Sequence, residues 1–295
     1  MSLDDLPPLR MARPESAEDL GRRLAREKTA AARQHERDLE ALTLPPGRVG
    51  SVPYLNAVPL TRGLEHEVVF ATPSRLAGML RAGNLDAALV SVSEVLFHDL
   101  YDILDGVAVA SLGEVLSVFV AHRGPLEAIR RIACDTASLT SVNLLKVLLA
   151  ERGLQPELVP LEDYASAGAH DAVLLIGDRA LDFRRQPHDH TLWDLGAAWK
   201  ELTGLPFVYA VWALRRDADT TTIRRALRDA KTFGLETLDY LIANRPEYDA
   251  DLRRDYLGWH IHYHLGADEK RGLARFVELL RQHVPGPVYD PRYVT

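Results

Sequence analysis

Two runs decide the architecture: LSVFVAHRG at residues 116–124 and FVYAVWALRR at 207–216. Both are long apolar runs with Val and aromatic residues, the composition of strands. The stretch between them carries strands and helices of its own. The chain therefore leaves one lobe at the first run and returns at the second. Two such crossings make a hinge, with a cleft between the lobes. The expected architecture is α/β and two-lobed: residues 48–118 with 212–295 form the first lobe, and residues 119–211 form the second.

Further strand-like runs flank these two, at 48–54, 67–72, 86–93, 131–135, 157–162 and 172–178. Helical segments fall between many of them. SRLAGMLRAG (74–83) ends at a glycine, and in TSVNLLKVLLAERG (140–153) Val142, Leu145, Leu148 and Leu149 share one face before Gly153. Strand and helix in alternation predict βαβ units and a mostly parallel sheet. Such sheets gather ligands at the carboxyl ends of their strands. From Asp217 onward the pattern is helical, with expected helices at about 220–244, 249–264 and 267–283. The last has an apolar stripe of Leu273, Phe276, Leu279 and Leu280.

Residues 1–47 read differently. Ser16 and Asp19 have capping-box spacing, and Glu18/Arg22 and Arg23/Glu27 are spaced as i,i+4 pairs. The apolar stripe is thin, and Pro45-Pro46-Gly47 ends the segment. An exposed N-terminal helical extension is expected, with a homodimer contact as the alternative.

The composition excludes several classes. Among 295 residues, 47% are hydrophobic and 26% charged, with a net charge of −7. No basic field exists for a phosphate backbone, so nucleic acid is not an expected partner. No apolar stretch reaches the ~18 residues of a membrane span. The N-terminal residues lack the apolar core of a secretory signal, so a cytoplasmic location is expected. The single cysteine, Cys134, cannot form an internal disulfide and sits in the apolar run RIACD. Dinucleotide, Walker A, CxxC and nucleophile-elbow motifs are absent. His260 and His264 would share a helical face, but no third ligand is evident nearby, so no metal site is expected.

The chemistry concentrates instead at strand-to-helix junctions. Asp135-Thr136-Ala137-Ser138-Leu139-Thr140-Ser141 follows a strand and opens a helix. The first amides of a helix lack internal partners and form a ready anion site, to which Ser138, Thr140 and Ser141 add hydroxyls. Simple capping is the other reading of the same residues. Ser91 and Ser93 lie at a second junction, with alternation pointing both the same way. Tyr54 and Asn56 follow the first strand. Tyr54 and Tyr209 are candidate cleft walls. Asp178, after another strand, is expected to cap its helix, since a carboxylate facing an anionic ligand would repel it.

RVGSVPYLNAVPL (48–60), DTASLTSVNLLKVLL (135–149), LLIGDRAL (174–181), DLGAAWKELTGLPFVYAVWALR (194–215) and YHLGADEKRGLARFVELL (263–280) together resemble the chorismate dehydratase family of the futalosine route to menaquinone. The blocks occur in order across residues 48–285. The resemblance implies a type II periplasmic-binding-protein-like fold and removal of water from chorismate to give 3-[(1-carboxyvinyl)oxy]benzoate. It implies no metal or organic cofactor. It places the family's catalytic asparagine on Asn56 and, through Gly113-Glu114-Val115-Leu116-Ser117, its catalytic serine on Ser117. The substrate-binding set is then Tyr54, Ser91, Ser93, Ser138, Thr140, Ser141 and Tyr209. A sister cyclase of the same route opens with a Ser-Pro-Cys-Pro-Asn-like block, unlike the VPYLN found here. That cyclase and a non-catalytic anion-binding protein on the same fold are the alternatives.

Overall fold

The computed structural model describes residues 25, 29–31, 33, 34, 44 and 46–295. Those described between 25 and 34 are helical and exposed. The expected cap at Ser16 and Asp19 lies outside the described residues.

From the first strand the order is β1 (Val49–Ser51), β2 (Val68–Phe70), α1 (Pro73–Arg81), β3 (Ala87–Ser91), α2 (Val92–Phe97) and β4 (Tyr101–Ser111). Then come β5 (Val118–His122), β6 (Arg131–Cys134), α3 (Leu139–Glu151), β7 (Glu157–Pro160), β8 (Ala172–Ile176), α4 (Gly177–Arg185), β9 (Thr191–Asp194) and α5 (Leu195–Thr203). The chain ends with β10 (Phe207–Arg215), α6 (Thr221–Glu236), α7 (Leu238–Asn244), α8 (Ala250–Asp255), α9 (Ala267–His283) and β11 (Tyr293–Val294).

Two sheets result. The first has the order β11-β4-β10-β3-β1-β2 and the second β7-β6-β8-β5-β9. Neither is wholly parallel. β10 runs antiparallel between β3 and β4, and β5 runs antiparallel between β8 and β9. The antiparallel pairs follow from the two crossings: a strand that has just changed sheets enters its new sheet against the local direction. All of β10, from Phe207, pairs in the first sheet, so the 211/212 division expected from sequence falls inside a strand. The crossings themselves are 112–117 and the short link before Phe207.

The inner strands of the second sheet, β6, β8 and β5, are buried on both faces, which is why they read as continuous apolar runs. On β5, Phe119 and Ala121 pack into one apolar cluster while Val118 and Val120 pack into the other; Val173/Leu175 and Leu174/Ile176 divide β8 in the same way. Beside the second crossing, buried Trp199 meets Phe207 and Phe276 edge-on, and its indole N–H donates to Pro206 O at 3.1 Å. This cluster fixes the hinge side of the molecule and uses the predicted stripe of α9.

Three expectations about helices and strands change. The helix expected at 220–244 breaks at Thr237 into α6 and α7. The one expected at 249–264 ends at Asp255 and continues as a π-helical turn, Tyr256–His260, in which Ile261 N–H reaches back to Tyr256 O at 3.0 Å. His260 and His264 therefore do not share a helical face. Their Nδ1 atoms lie against Glu114 O and Lys231 Nζ respectively. β4, at 11 residues the longest strand, is not evident from the sequence at all.

Candidate active site

The carboxyl ends of β1, β3, β6 and β8 all open on the cleft between the sheets, as parallel strands in βαβ units require. Each hands the chain to a helical start: Leu55–Leu60 after β1, α2 after β3, α3 after β6 and α4 after β8. Side chains of the protein take amides at three of these starts: Asp178 accepts from Leu55 N, Thr140 from Ser93 N, and Ser91 and Ser138 from Thr140 N and Ser141 N. The space there, counted with its open mouth, is about 620 Å³. Its polar lining consists of Tyr54, Asn56, Ser91, Ser117, Ser138, Ser141 and Tyr209, with no Lys, Arg, His, Asp or Glu among the described lining residues.

Two hydroxyls of the expected set stand elsewhere. Thr140 Oγ1 accepts from Ser93 N at 2.9 Å and donates to Ser93 Oγ at 3.2 Å; Thr140 N donates to Ser91 Oγ at 2.9 Å. Ser93 and Thr140 are both fully buried, and their hydroxyls knit the two lobes together behind the cavity wall. The alternation argument failed because Ser91 ends a strand while Ser93 is already helical. Ser138 caps α3, accepting from Ser141 N at 3.4 Å and from Ser141 Oγ at 3.2 Å, and both side chains still line the cavity. Asp135 accepts from Ala137 N and Tyr164 Oη, so it closes its own turn.

Asp178 also differs from expectation. It lies in the first turn of α4, but it does not cap that helix. Its Oδ1 instead accepts from Leu55 N at 3.2 Å, across the cleft and one residue before Asn56. Burial, the larger effect, pushes its carboxyl up to about 6, with Asp182 and Glu247 adding to the rise; the Leu55 amide and Arg245 oppose it. Gly177, beside it, has φ +59 and lies under the Tyr54 ring; a side chain there would be strained by that φ.

Ser117 is 1% exposed and follows Leu116, which has φ 64, an unfavourable conformation for a residue with a side chain. Asp194 holds the crossing in that shape. Its Oδ2 accepts from Val115 N and Leu116 N at 3.1 and 2.9 Å, while its Oδ1 caps α5 through Gly196 N and Ala197 N at 2.9 and 3.0 Å. Burial raises the Asp194 carboxyl, and the amides it accepts from counteract that rise. Gly196 is required here: a Cβ would sit 2.3 Å from Gly113 O and 2.6 Å from Tyr209 Oη.

A residue not singled out from the sequence joins the two predicted to act. Tyr256, fully buried, donates its phenol proton to Ser117 Oγ at 2.8 Å and accepts from Asn56 Nδ2 at 3.1 Å. Tyr209 Oη bonds to Ser111 Oγ at 3.1 Å, behind the cavity wall that the residue lines.

A family model described as menaquinone biosynthesis matches residues 47–282. The chain belongs to the menaquinone biosynthesis family. Within reach of that family, a chorismate dehydratase from Thermus thermophilus is 37% identical, with 77% of this chain and 92% of the relative covered. A 1,4-dihydroxy-6-naphthoate synthase from the same organism is 28% identical, covering 62% of this chain and 72% of the relative. Among solved structures, the periplasmic aliphatic sulphonate binding protein of Escherichia coli superposes with a TM-score of 0.55 at 15% identity, covering 86% of this chain and 94% of that one. The family member described here thus has the periplasmic-binding-protein-like fold.

Proposed function

We propose that this protein is a chorismate dehydratase, converting chorismate to 3-[(1-carboxyvinyl)oxy]benzoate and water in the cytoplasm, for menaquinone synthesis by the futalosine route. The observation that carries the reading is a charge-free cavity of hydroxyls and one amide, in a chain 37% identical to a dehydratase over nearly all of that relative's length. Chorismate carries two carboxylates and a hydroxyl on a cyclohexadiene ring. The ring C–H beside the enol ether loses its proton, the electron pair spreads toward the ring carboxylate, and hydroxide departs from the neighbouring carbon as the ring becomes aromatic. The product is strongly favoured, so the barrier is kinetic. It falls when fixed donors face the oxygens where charge accumulates, which is worth ~3 kcal/mol per donor.

In this reading Asn56 holds the departing hydroxyl or the enolpyruvyl group. Ser117 lies beside the reacting proton and donates to a carboxylate. The substrate's own enolpyruvyl carboxylate takes the proton, because no lining side chain is a conventional base. Ser91, Ser138 and Ser141 meet the carboxylates, and Tyr54 and Tyr209 wall the ring.

The test is direct. Purified protein mixed with chorismate should produce a new aromatic absorbance, and Asn56→Ala should reduce kcat about 10²- to 10³-fold while the melting temperature holds. Binding of chorismate without conversion would favour a receptor, and indifference to chorismate would favour the sister cyclase. Near-normal turnover by Asn56→Ala would remove that residue's assignment.

A further inference from the structure

We infer that Tyr256 is a positioning residue that sets the direction in which the Ser117 and Asn56 hydrogen bonds run, leaving the Ser117 proton free to point into the cavity. The inference rests on the dehydratase reading and adds to it a third residue, 139 positions from Ser117 and 200 from Asn56 in sequence.

A phenol has one proton to give and can accept in return. Here the proton goes to Ser117 Oγ, and the oxygen accepts from Asn56 Nδ2. Ser117 is thereby an acceptor on its Tyr256 side, so its own O–H turns to the cavity that Ser117 lines. Asn56 spends one amide N–H on the phenol and retains the other N–H and its carbonyl for the ligand. Without the phenol, the serine oxygen loses the donor that orients its own O–H, and the asparagine amide loses its fixed plane. Burial raises the Tyr256 phenol well above the usual range, so the proton stays in place throughout the working pH range.

The backbone is built to hold the ring there. Tyr256 opens the π-helical turn, a rare element that tends to occur at functional sites. Just beyond it, His262 N donates to Ala110 O at 2.7 Å and Ala110 N to His262 O at 2.9 Å, tying the segment to β4. The turn is thus pinned to the first sheet on one side, while the phenol reaches the crossing that carries Ser117.

Steady-state turnover of chorismate by Tyr256→Phe tests this. A ten- to hundredfold loss of kcat is expected, with KM within about threefold of wild type. In a Ser117→Ala background the same change should cost at most about a third of that loss, because only its route through Asn56 remains. A full, multiplicative loss in that background, or near-wild-type kcat for Tyr256→Phe, would overturn the proposal. If the phenylalanine variant fails to fold, a fluorinated tyrosine at 256 keeps ring and hydroxyl while making the phenol more acidic. With the strength of the bond to Ser117 altered, kcat at neutral pH should change by at least about threefold at unchanged KM, and an unmoved kcat would count against the inference. A wild-type protein inert toward chorismate would instead take down the dehydratase reading, and this proposal with it.

Discussion

At the scale of single residues, the site depends on side chains that do two tasks at once. Asp194 is the clearest. One oxygen caps α5 and the other holds Val115 and Leu116, so a single carboxylate both starts a helix and keeps Leu116 at φ 64. Asp194→Asn separates the tasks, since its amide oxygen can keep the cap while its NH₂ faces two N–H donors. We expect a stability loss of about 2 kcal/mol from the unsatisfied amides and a roughly tenfold fall in kcat as Ser117 loses its aim, a drop of ~1.4 kcal/mol in transition-state stabilisation. Denaturant unfolding and chorismate turnover measure the two effects; a variant with wild-type values in both would show that the crossing holds its shape unaided. The capping half has a local signal, an Asp before a helical run, although in the sequence Asp194 stood out only as the start of a resemblance block. The other half was not legible, because its partners lie 78 and 79 residues away. The same limit hid Tyr256: nothing local marks a tyrosine whose purpose is to touch residues on two distant segments. Asn56 and Ser117 were named from family resemblance rather than from spacing.

At the scale of elements, the strands whose composition is uniform were legible and the irregular one was not. β3, β5, β8 and β10 are nearly unbroken apolar runs because both faces of their sheets are covered. β4 carries Asp102, Asp105 and Gly106, and its pairing with β10 jumps from Ala108 to Ile103 while β10 advances only from Val211 to Ala213. An interruption of that kind erases alternation from the sequence. The junctions were legible as hydroxyl-rich helix starts, but which hydroxyls face the ligand depends on how the start of α3 meets the end of β3. That contact carries its own prediction. Thr140→Val keeps the shape and removes the hydroxyl that Ser91 and Ser93 share, at a cost of about 1–3 kcal/mol to the arrangement in which the lobes touch. The variant should show chorismate KM and product Kd raised about tenfold, since 1.4 kcal/mol is a factor of ten, with kcat changing less. Unchanged affinity would mean that the cross-lobe hydroxyl cluster does not contribute to holding the cleft together.

At the scale of the whole molecule, α4 of the second lobe is fastened to the first lobe at several points. Asp178 takes the Leu55 amide, Tyr248 Oη donates to Asp178 O at 3.1 Å, and Arg185 pairs with Asp249 at 3.3 Å. The two crossing runs made a hinge legible, but this fastening could not be read, because it depends on where α4 lands after the chain has crossed twice. The Asp178 carboxyl titrates at about 6 in the folded protein, above the 3.8 of its unfolded value. Below pH 3.8 both states hold the proton. Between 3.8 and 6 the folded state keeps a proton that the unfolded state has lost, so stability falls as pH rises through this window and then levels off. Ionised Asp178 is therefore a standing penalty at neutral pH, of about 1–2 kcal/mol once solvent screening is allowed for. Asp178→Asn retains an acceptor for Leu55 N and does not titrate. It should unfold at a higher denaturant concentration than wild type at pH 7.5, with the difference shrinking steadily as pH is lowered toward 4. Comparing the two proteins cancels every other titrating group, so only the slope of the difference matters. A gap that stays constant with pH, or a variant less stable than wild type at pH 7.5, would mean that the Leu55 amide compensates the buried charge in full and that the fastening carries no electrostatic strain.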